Sequence, residues 1–280
     1  MSIFAVVNLS DLLAGILVIA GLAILAIRTG AIDFSGAALG AIICLTAFLA
    51  GGFNWLLVIV AFFVISSLFT RFKYDYKKKL GSAQEKGGVR SWPNTLANGL
   101  VAGLAAVAEL ISHQDIFIIA FLAAVAAAMS DTIATEVGLL SGSKPRMIVN
   151  LKKFVEPGTS GGISILGELA GTASALGIAL LGIYLKIING TFGIVLAGFL
   201  AVFLGAILAT NLDSLLGGTV QGVNRCQVCG EKTESLVHHG MPTLPWRGHR
   251  ILDNNAINLI ATIAAALLSI GLYALFVSIA

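Results

Sequence analysis

Apolar positions run along this chain in long unbroken stretches, not in strict alternation and not in a one-faced stripe. Eight such stretches stand out, at about residues 9–28, 32–50, 53–70, 94–111, 115–139, 162–188, 192–216 and 255–279. Crossing a hydrocarbon core of about 30 Å takes roughly 20 mostly apolar residues in a helix. The pattern therefore predicts an all-α fold, a polytopic transmembrane bundle of about eight helices, the second to fourth of them short. Strands of an outer-membrane barrel would alternate in hydrophobicity, and these runs do not. The first run has no basic segment before it and leads directly into another apolar run, so it reads as a retained helix and not as a signal peptide.

Composition agrees. Of the 280 residues 58% are hydrophobic and 11% charged, with a mean hydropathy of +0.96, whereas soluble domains carry about 25% charged residues. The net charge of +3 says little by itself, but the placement of the basic residues is informative. Arg71, Lys73, Lys77, Lys78, Lys79, Lys86 and Arg90 follow the third run; Lys144, Arg146, Lys152 and Lys153 follow the fifth; Arg225, Lys232, Arg247 and Arg250 follow the seventh. With Arg28 they fall on one side of an eight-helix topology, and only Lys186 falls on the other. Basic loops stay cytoplasmic. This predicts one integral membrane domain over 1–280, in the cell membrane, with its N-terminus outside and cytoplasmic loops at 71–93, 141–161 and 217–253. The connections on the far side are too short to carry chemistry, so a site that uses loops opens inward. No basic-aromatic pattern suited to nucleic acid is present.

Acids inside apolar runs are the first candidates for chemistry. Asp131 and Glu136 lie in the fifth run, Glu168 in the sixth, Asp213 near the end of the seventh and Glu109 near the end of the fourth. Each costs about 2.5–3.5 kcal/mol to insert at a helix centre, so it needs a partner, a metal or a wet cavity. Asp131, Glu136 and Asp213 are the stronger candidates for a functional site and Glu109 and Glu168 for hydrogen bonds between helices, with the other role as the alternative for each. Residues five apart point about 140° away from each other on a regular helix. Asp131 and Glu136 can then meet one ligand only if the helix is broken or bulged.

Glycine-rich turns flank these acids. Glu156-Pro157-Gly158-Thr159-Ser160-Gly161-Gly162-Ile163-Ser164 opens the sixth helix, where bare backbone N–H groups and a helix N-terminus can receive an anion. No Gly-Lys-Ser or Gly-Lys-Thr follows, so it is not a Walker A loop. Asn211 to Gln221 places Asp213 and Ser214 beside Gly217 and Gly218, and Lys86-Gly87-Gly88-Val89-Arg90 precedes Asn94 and Asn98. Basic groups, glycine backbone and carboxylates together suit a phosphate–Mg²⁺ complex. In the last loop Cys226-Gln227-Val228-Cys229 precedes His238-His239, a spacing able to hold a structural Zn²⁺; free thiols are the alternative there. Cys44 lies in an apolar run and reads as inert. Asn254, Asn255 and Asn258 open the last helix.

Taken in order, these motifs resemble one membrane family, the one that includes plant and cyanobacterial phytyl-phosphate kinases. They are the Lys-rich segment, Gly-Gly-Val-Arg with Asn98-Gly99, Ser-Asp-Thr with Glu136-x-Gly138, Pro157-Gly158-Thr159-x-Gly161-Gly162-x-Ser164, Asp213-Ser214-Leu215-Leu216-Gly217 with Gln221, Cys-x2-Cys, and Asn254-Asn255-x2-Asn258. His239 stands where that family usually has a cysteine. The resemblance implies transfer of a γ-phosphate from a nucleoside triphosphate, CTP favoured, to an isoprenoid monophosphate such as phytyl or geranylgeranyl phosphate. It further implies Mg²⁺ on Asp131, Glu136 and Asp213. The nucleotide and phosphates fall to Lys79, Lys86, Arg90, Thr159, Ser160, Gly161, Gly162, Ser214 and Gln221, with Asn98 and Asn255 as positioning groups. An isoprenoid alcohol kinase or a CTP-dependent cytidylyltransferase is the alternative, and an ion-coupled transporter is the rival of another class. Membrane lipids are the expected surroundings, and small-residue helices permit a homo-oligomer.

Overall fold

The computed structural model describes residues 8–80 and 85–279, apart from the side chains of Glu85 and Lys86. Its helices are α1 (Leu9–Arg28), α2 (Phe34–Arg71), a short α3 (Tyr74–Lys79), α4 (Trp92–Ser112), α5 (Asp115–Gly138), α6 (Ile165–Tyr184), α7 (Phe192–Thr219) and α8 (Asn254–Ile279). Among the described residues, seven of these are long and apolar enough to cross a membrane.

α2 carries two of the expected runs. Its 38 residues would extend about 57 Å if straight, nearly twice the hydrocarbon thickness. Instead Gly51 (φ −138°, ψ 19°) and Gly52 (φ 65°, ψ −152°) leave the helical region in its middle. Both ends of α2 come back to one place. The Asp33 N–H donates to the Arg90 carbonyl (2.9 Å), and the Arg71 guanidinium donates to the Thr29 carbonyl (2.7 Å). α2 is therefore a helical hairpin, its arms matching runs 32–50 and 53–70. The conformation at Gly52 is one that side chains strain to adopt.

α5 is the centre of the bundle. A helix that is apolar on every side has no face to give to solvent or lipid and is driven inward. Its stretch from Ile119 to Met129 is buried throughout, with α2, α4, α6, α7 and α8 around it. The outer helices keep large apolar side chains exposed, among them Leu17, Phe34, Ile165, Tyr184 and Phe192, as a lipid-facing surface requires. Polar side chains tie helices together inside: the Thr262 hydroxyl donates to the Ala97 carbonyl (3.2 Å) and the Ser269 hydroxyl to the Ala201 carbonyl (2.9 Å).

Two helix boundaries differ from the hydropathy pattern. The run 162–188 becomes a helix only over Ile165–Tyr184, because Gly162–Ile163 pairs as a strand and Ser164 caps the helix, its Oγ accepting from the Gly167 N–H (3.1 Å). α7 continues to Thr219, its last turn packed at Gly217 and Gly218 against the backbone of Gly161. The loops also hold short strands that no periodicity announced. β1 (Arg146–Met147), β2 (Asn150–Phe154) and β3 (Gly162–Ile163) form a sheet in the order β2-β1-β3. β4 (Val223–Arg225) lies between β5 (Lys232–Thr233) and β8 (Leu244–Arg247), while β6 (Val237–His238) pairs with β7 (Met241–Pro242). Strands of two to five residues are too short for alternation to register. They cover the end of the bundle where α5 and α7 finish and α6 and α8 begin.

Candidate active site

At that end a cavity of about 150 Å³ opens between α5, α6, α7 and the two loop sheets. Four carboxylates face it: Asp131 from α5, Glu168 from α6, Asp213 from α7 and Glu234 from the link between β5 and β6. Asp131 is within Coulombic reach of Glu168 and Asp213, and Asp213 of Glu234. Among the described residues the wall contains no Lys, Arg or His. Close helix contact creates the convergence: a Cβ at Gly167 would stand 2.5 Å from the Ala134 carbonyl oxygen, so only glycine lets α6 approach α5 this nearly.

Three of the acids have a polar support. The buried Asn258, its amide nitrogen turned to the acceptors, donates to Asp213 Oδ2 (3.1 Å) and to the Asn254 carbonyl (3.0 Å). Asn211 stands beside Glu168. Glu234 Oε1 accepts from Ser160 Oγ (2.7 Å) and from Gln221 Nε2 (2.7 Å). Thr135, one turn from Asp131, lines the same wall, as do Ser214, Ser164 and Asn254.

Glu136 departs from the expected metal-holding set. α5 is unbroken here, so the 140° turn from Asp131 stands and sends Glu136 to the other side. There its Oε2 meets Lys77 Nζ at 2.6 Å, with the side chains 3% and 0% exposed. Lys77 comes from α3 and also donates to the Phe69 and Thr70 carbonyls (2.7 and 3.1 Å), so its three protons close the end of α2 and neutralise Glu136 together. Glu168 occupies the place in the cavity that Glu136 was expected to take.

The expected phosphate contacts also divide. Thr159, Ser160, Gly161, Gly162, Ser214 and Gln221 line the cavity; Lys79, Arg90, Asn98 and Asn255 do not. Lys79 is exposed on α3. Arg90 lies over the Phe62 and Phe63 rings (5.4 and 5.7 Å), where burial pushes its guanidinium down to about 10 against the opposing charge of Glu136. Asn98 donates to the Asn94 carbonyl within α4 (2.9 Å). The side chain of Lys86 lies outside the described residues. Asn254 and Asn258, one turn apart, turn toward the acids in place of Asn255.

Gly161 is required for shape as well as for its φ of 81°. A Cβ there would fall 2.3 Å from the Gly218 Cα, so the 156–162 loop lies directly on the end of α7. Within that loop the Thr159 and Gly162 N–H groups already donate to the Glu156 and Thr159 carbonyls (3.1 and 2.8 Å). Two of the N–H groups expected to cradle an anion are therefore engaged. The N-termini of α6 at Ser164 and α8 at Asn254 are what the cavity offers to negative charge. Arg247 secures the neighbouring end of α7, donating to the Gly217 and Gly218 carbonyls (2.6 and 3.0 Å).

Glu168 meets the interhelical hydrogen bond expected of it, through Asn211 of α7, and also lines the cavity. The shared face of Asn254 and Asn258 is the one turned to the acids. Glu234 had no signal in the sequence, because only the folded loop carries it back to α7.

Beyond the cavity the loop brings Cys226, Cys229, His238 and His239 together, their ligand atoms all within 4.8 Å of one another. The Cys226 thiol is held down at about 6, first by a hydrogen bond from the Cys229 backbone, with His238 adding to it and burial opposing it.

Comparison with known proteins agrees with this architecture. The family described as "Integral membrane protein DUF92" matches residues 17–266. The chain is 31% identical over 266 residues to an uncharacterized membrane protein of Methanocaldococcus jannaschii, covering 95% of this chain and 96% of that one. It is 26% identical over 257 residues to Protein PGR of Arabidopsis thaliana, covering 85% and 88%. It is 28% identical over 151 residues to Protein VTE6, chloroplastic, also of Arabidopsis thaliana, covering 50% of this chain and 45% of that one. No solved structure matches. The chain belongs to the DUF92 family of integral membrane proteins.

Proposed function

We propose that the protein is a membrane kinase that moves the γ-phosphate of a nucleoside triphosphate, CTP favoured, onto an isoprenoid monophosphate such as phytyl or geranylgeranyl phosphate. The products are the nucleoside diphosphate and the isoprenoid diphosphate. The observation that carries this reading is the cavity wall, where Asp131, Glu168 and Asp213 converge among hydroxyls and amides with no Lys, Arg or His among the described lining residues.

Such a wall suits a hard divalent ion. Mg²⁺ takes oxygen ligands and is usually held by one or two carboxylates together with substrate phosphates. Asp131, Glu168, Asp213 and Glu234 are the residues that would hold it. When bound, Mg²⁺ neutralises phosphate charge at the reacting centre. The cavity of about 150 Å³ has room for an ion and phosphate groups, since one water-sized probe needs only about 10–15 Å³ on this measure.

A general base is not needed. A phosphate monoester carries about −1.5 to −2 charge at neutral pH and attacks phosphorus directly. Its oxygen forms the new bond to the γ-phosphorus as the bond to the β-phosphate oxygen breaks. The remaining tasks for the chain are positioning and charge. The α6 and α8 N-termini attract the phosphates, Asn258 fixes Asp213, and Ser160 and Gln221 fix Glu234. The isoprenoid tail stays in the bilayer with its head at the loop-bearing face, and the basic residues of those loops support a cytoplasmic orientation.

The reading is tested by incubating purified protein in lipid with Mg²⁺, γ-labelled CTP or ATP, and geranylgeranyl or phytyl monophosphate beside the free alcohols. Label is expected in the isoprenoid diphosphate. Label confined to a monophosphate would make it an alcohol kinase, and no lipid label from either donor would overturn the proposal.

A further inference from the structure

We infer that the loop between α7 and α8 binds one structural zinc ion through Cys226, Cys229, His238 and His239, and that this ion fastens the loop so that Glu234 reaches the cavity. The zinc site stands on its own geometry. Its effect on Glu234 adds to the proposed function without depending on which substrate is phosphorylated.

The four ligands come from two hairpins. Cys226 and Cys229 lie in the turn between β4 and β5, which is shaped as a metal knuckle. The Cys226 N–H donates to the Glu231 carbonyl (2.8 Å), the Gly230 N–H to the Cys226 carbonyl (3.1 Å), and the Val228 N–H points at Cys226 Sγ (3.3 Å). Gly230 takes φ 74°, which lets the turn close behind the sulfurs. His238 and His239 lie at the turn between β6 and β7.

Neighbouring residues of an extended strand point to opposite faces, and two adjacent histidines would ordinarily diverge. Here His239 is in the left-handed region at φ 53°, uncommon for a residue with a side chain. The two rings come within 4.2 Å of each other, on the side where the cysteines lie. Cys229 Sγ is 3.6 Å from His238 Nδ1. Bonds of about 2.3 Å to sulfur and 2.0–2.1 Å to nitrogen in a tetrahedron put ligand atoms about 3.3–3.8 Å apart. That pair already has the spacing, and the full set, within 4.8 Å, needs a contraction of about 1.5 Å at most to complete it. Two thiolates and two imidazoles select a borderline-soft ion such as zinc over magnesium, and four protein ligands leave no open position for chemistry.

Position explains the purpose. Glu234 sits in the short link between the two hairpins, one residue after β5 and three before β6. A bond from the metal to each hairpin fixes both ends of that link, and its carboxylate is the one that meets Ser160 and Gln221 at the cavity. The rest of the loop is held by short strands, too few for a hydrophobic core of its own, and small units of this kind rely on metal.

The test is elemental analysis of the full-length protein purified in detergent without chelator, followed by exchange of the native metal for Co²⁺. One zinc per chain is expected, with an intense thiolate-to-cobalt absorption band after exchange. The Cys226→Ser/Cys229→Ser variant should fall to near zero, while Glu234→Gln should keep its zinc. Chelation of the wild type should raise amide exchange across residues 220–249 and leave α5 and α6 protected. Protein without zinc that also gives no thiolate band with added Co²⁺ overturns the site, even if the cysteine variant fails to fold. Zinc present, with exchange around Glu234 unchanged on its removal, overturns the positioning role alone.

Discussion

Asp131 and Glu136 stand five residues apart on α5, and the bundle treats them differently. Glu136 turns toward α2 and α3, where Lys77 meets it at 2.6 Å and the aromatic-covered Arg90 adds positive charge nearby. Asp131 turns toward α6 and α7, where its neighbours are more acids and no cation among the described residues. A buried carboxylate that the chain itself neutralises belongs to the architecture, since the ammonium also closes the end of α2. The gathered Asp131, Glu168 and Asp213, with no cation among the described lining residues, make a place for a cationic ligand. Both regions hold carboxylates within the apolar helices, and the partner makes the difference.

Removing a charge on each side separates the two roles. Asp131→Asn or Asp213→Asn is expected to lower phosphotransfer by about a thousandfold, in line with loss of a principal electrostatic contact, while the protein elutes and unfolds as the wild type does. Lys77→Met or Glu136→Gln should do the reverse. Each leaves one partner of a buried pair uncompensated and should cost about 3–5 kcal/mol of stability, measured by denaturation in mixed micelles, with turnover per folded molecule little changed. The double variant Lys77→Met/Glu136→Leu should recover most of that loss. If Glu136→Gln instead abolishes turnover in a stable protein, the division between the regions is wrong.

Smaller effects are expected where the frame is tuned and not charged. Gly52→Ala meets no neighbouring atom but must adopt φ 65°, ψ −152°, and should cost about 1–3 kcal/mol by straining the α2 turn. Ser164→Ala removes the hydroxyl that accepts the Gly167 N–H at the start of α6 and should cost about 1 kcal/mol. Its effect on turnover should exceed that of Gly52→Ala, because Ser164 lines the cavity and Gly52 lies at the far end of the bundle.

Much of the frame was legible in the sequence because lipid imposes a strong rule: backbone polar groups must pair internally, so spans appear as unbroken apolar runs. The α2 hairpin was readable as two runs separated by Gly51-Gly52. The lining of the cavity was legible where it lies on helices, as for Asp131 and Asp213, and in the glycine loop at 158–162. It failed at Glu136, because hydropathy cannot show that Lys77, 59 positions away, returns to meet it. It failed at Glu234 because loop strands of two residues leave no periodic trace. The basic loops also misled: Lys79 and Arg90 satisfy the topology rule without reaching the cavity.

The central claim, that the cavity and not the Lys77–Glu136 pair binds the divalent ion, is tested most directly with Mn²⁺ in place of Mg²⁺. Its electron paramagnetic resonance signal is titrated with purified wild type, Asp213→Asn and Glu136→Gln in the presence of nucleotide. Wild type and Glu136→Gln are expected to bind the ion alike, and Asp213→Asn is expected to lose that binding. Equal binding by Asp213→Asn, or loss confined to Glu136→Gln, would contradict the account.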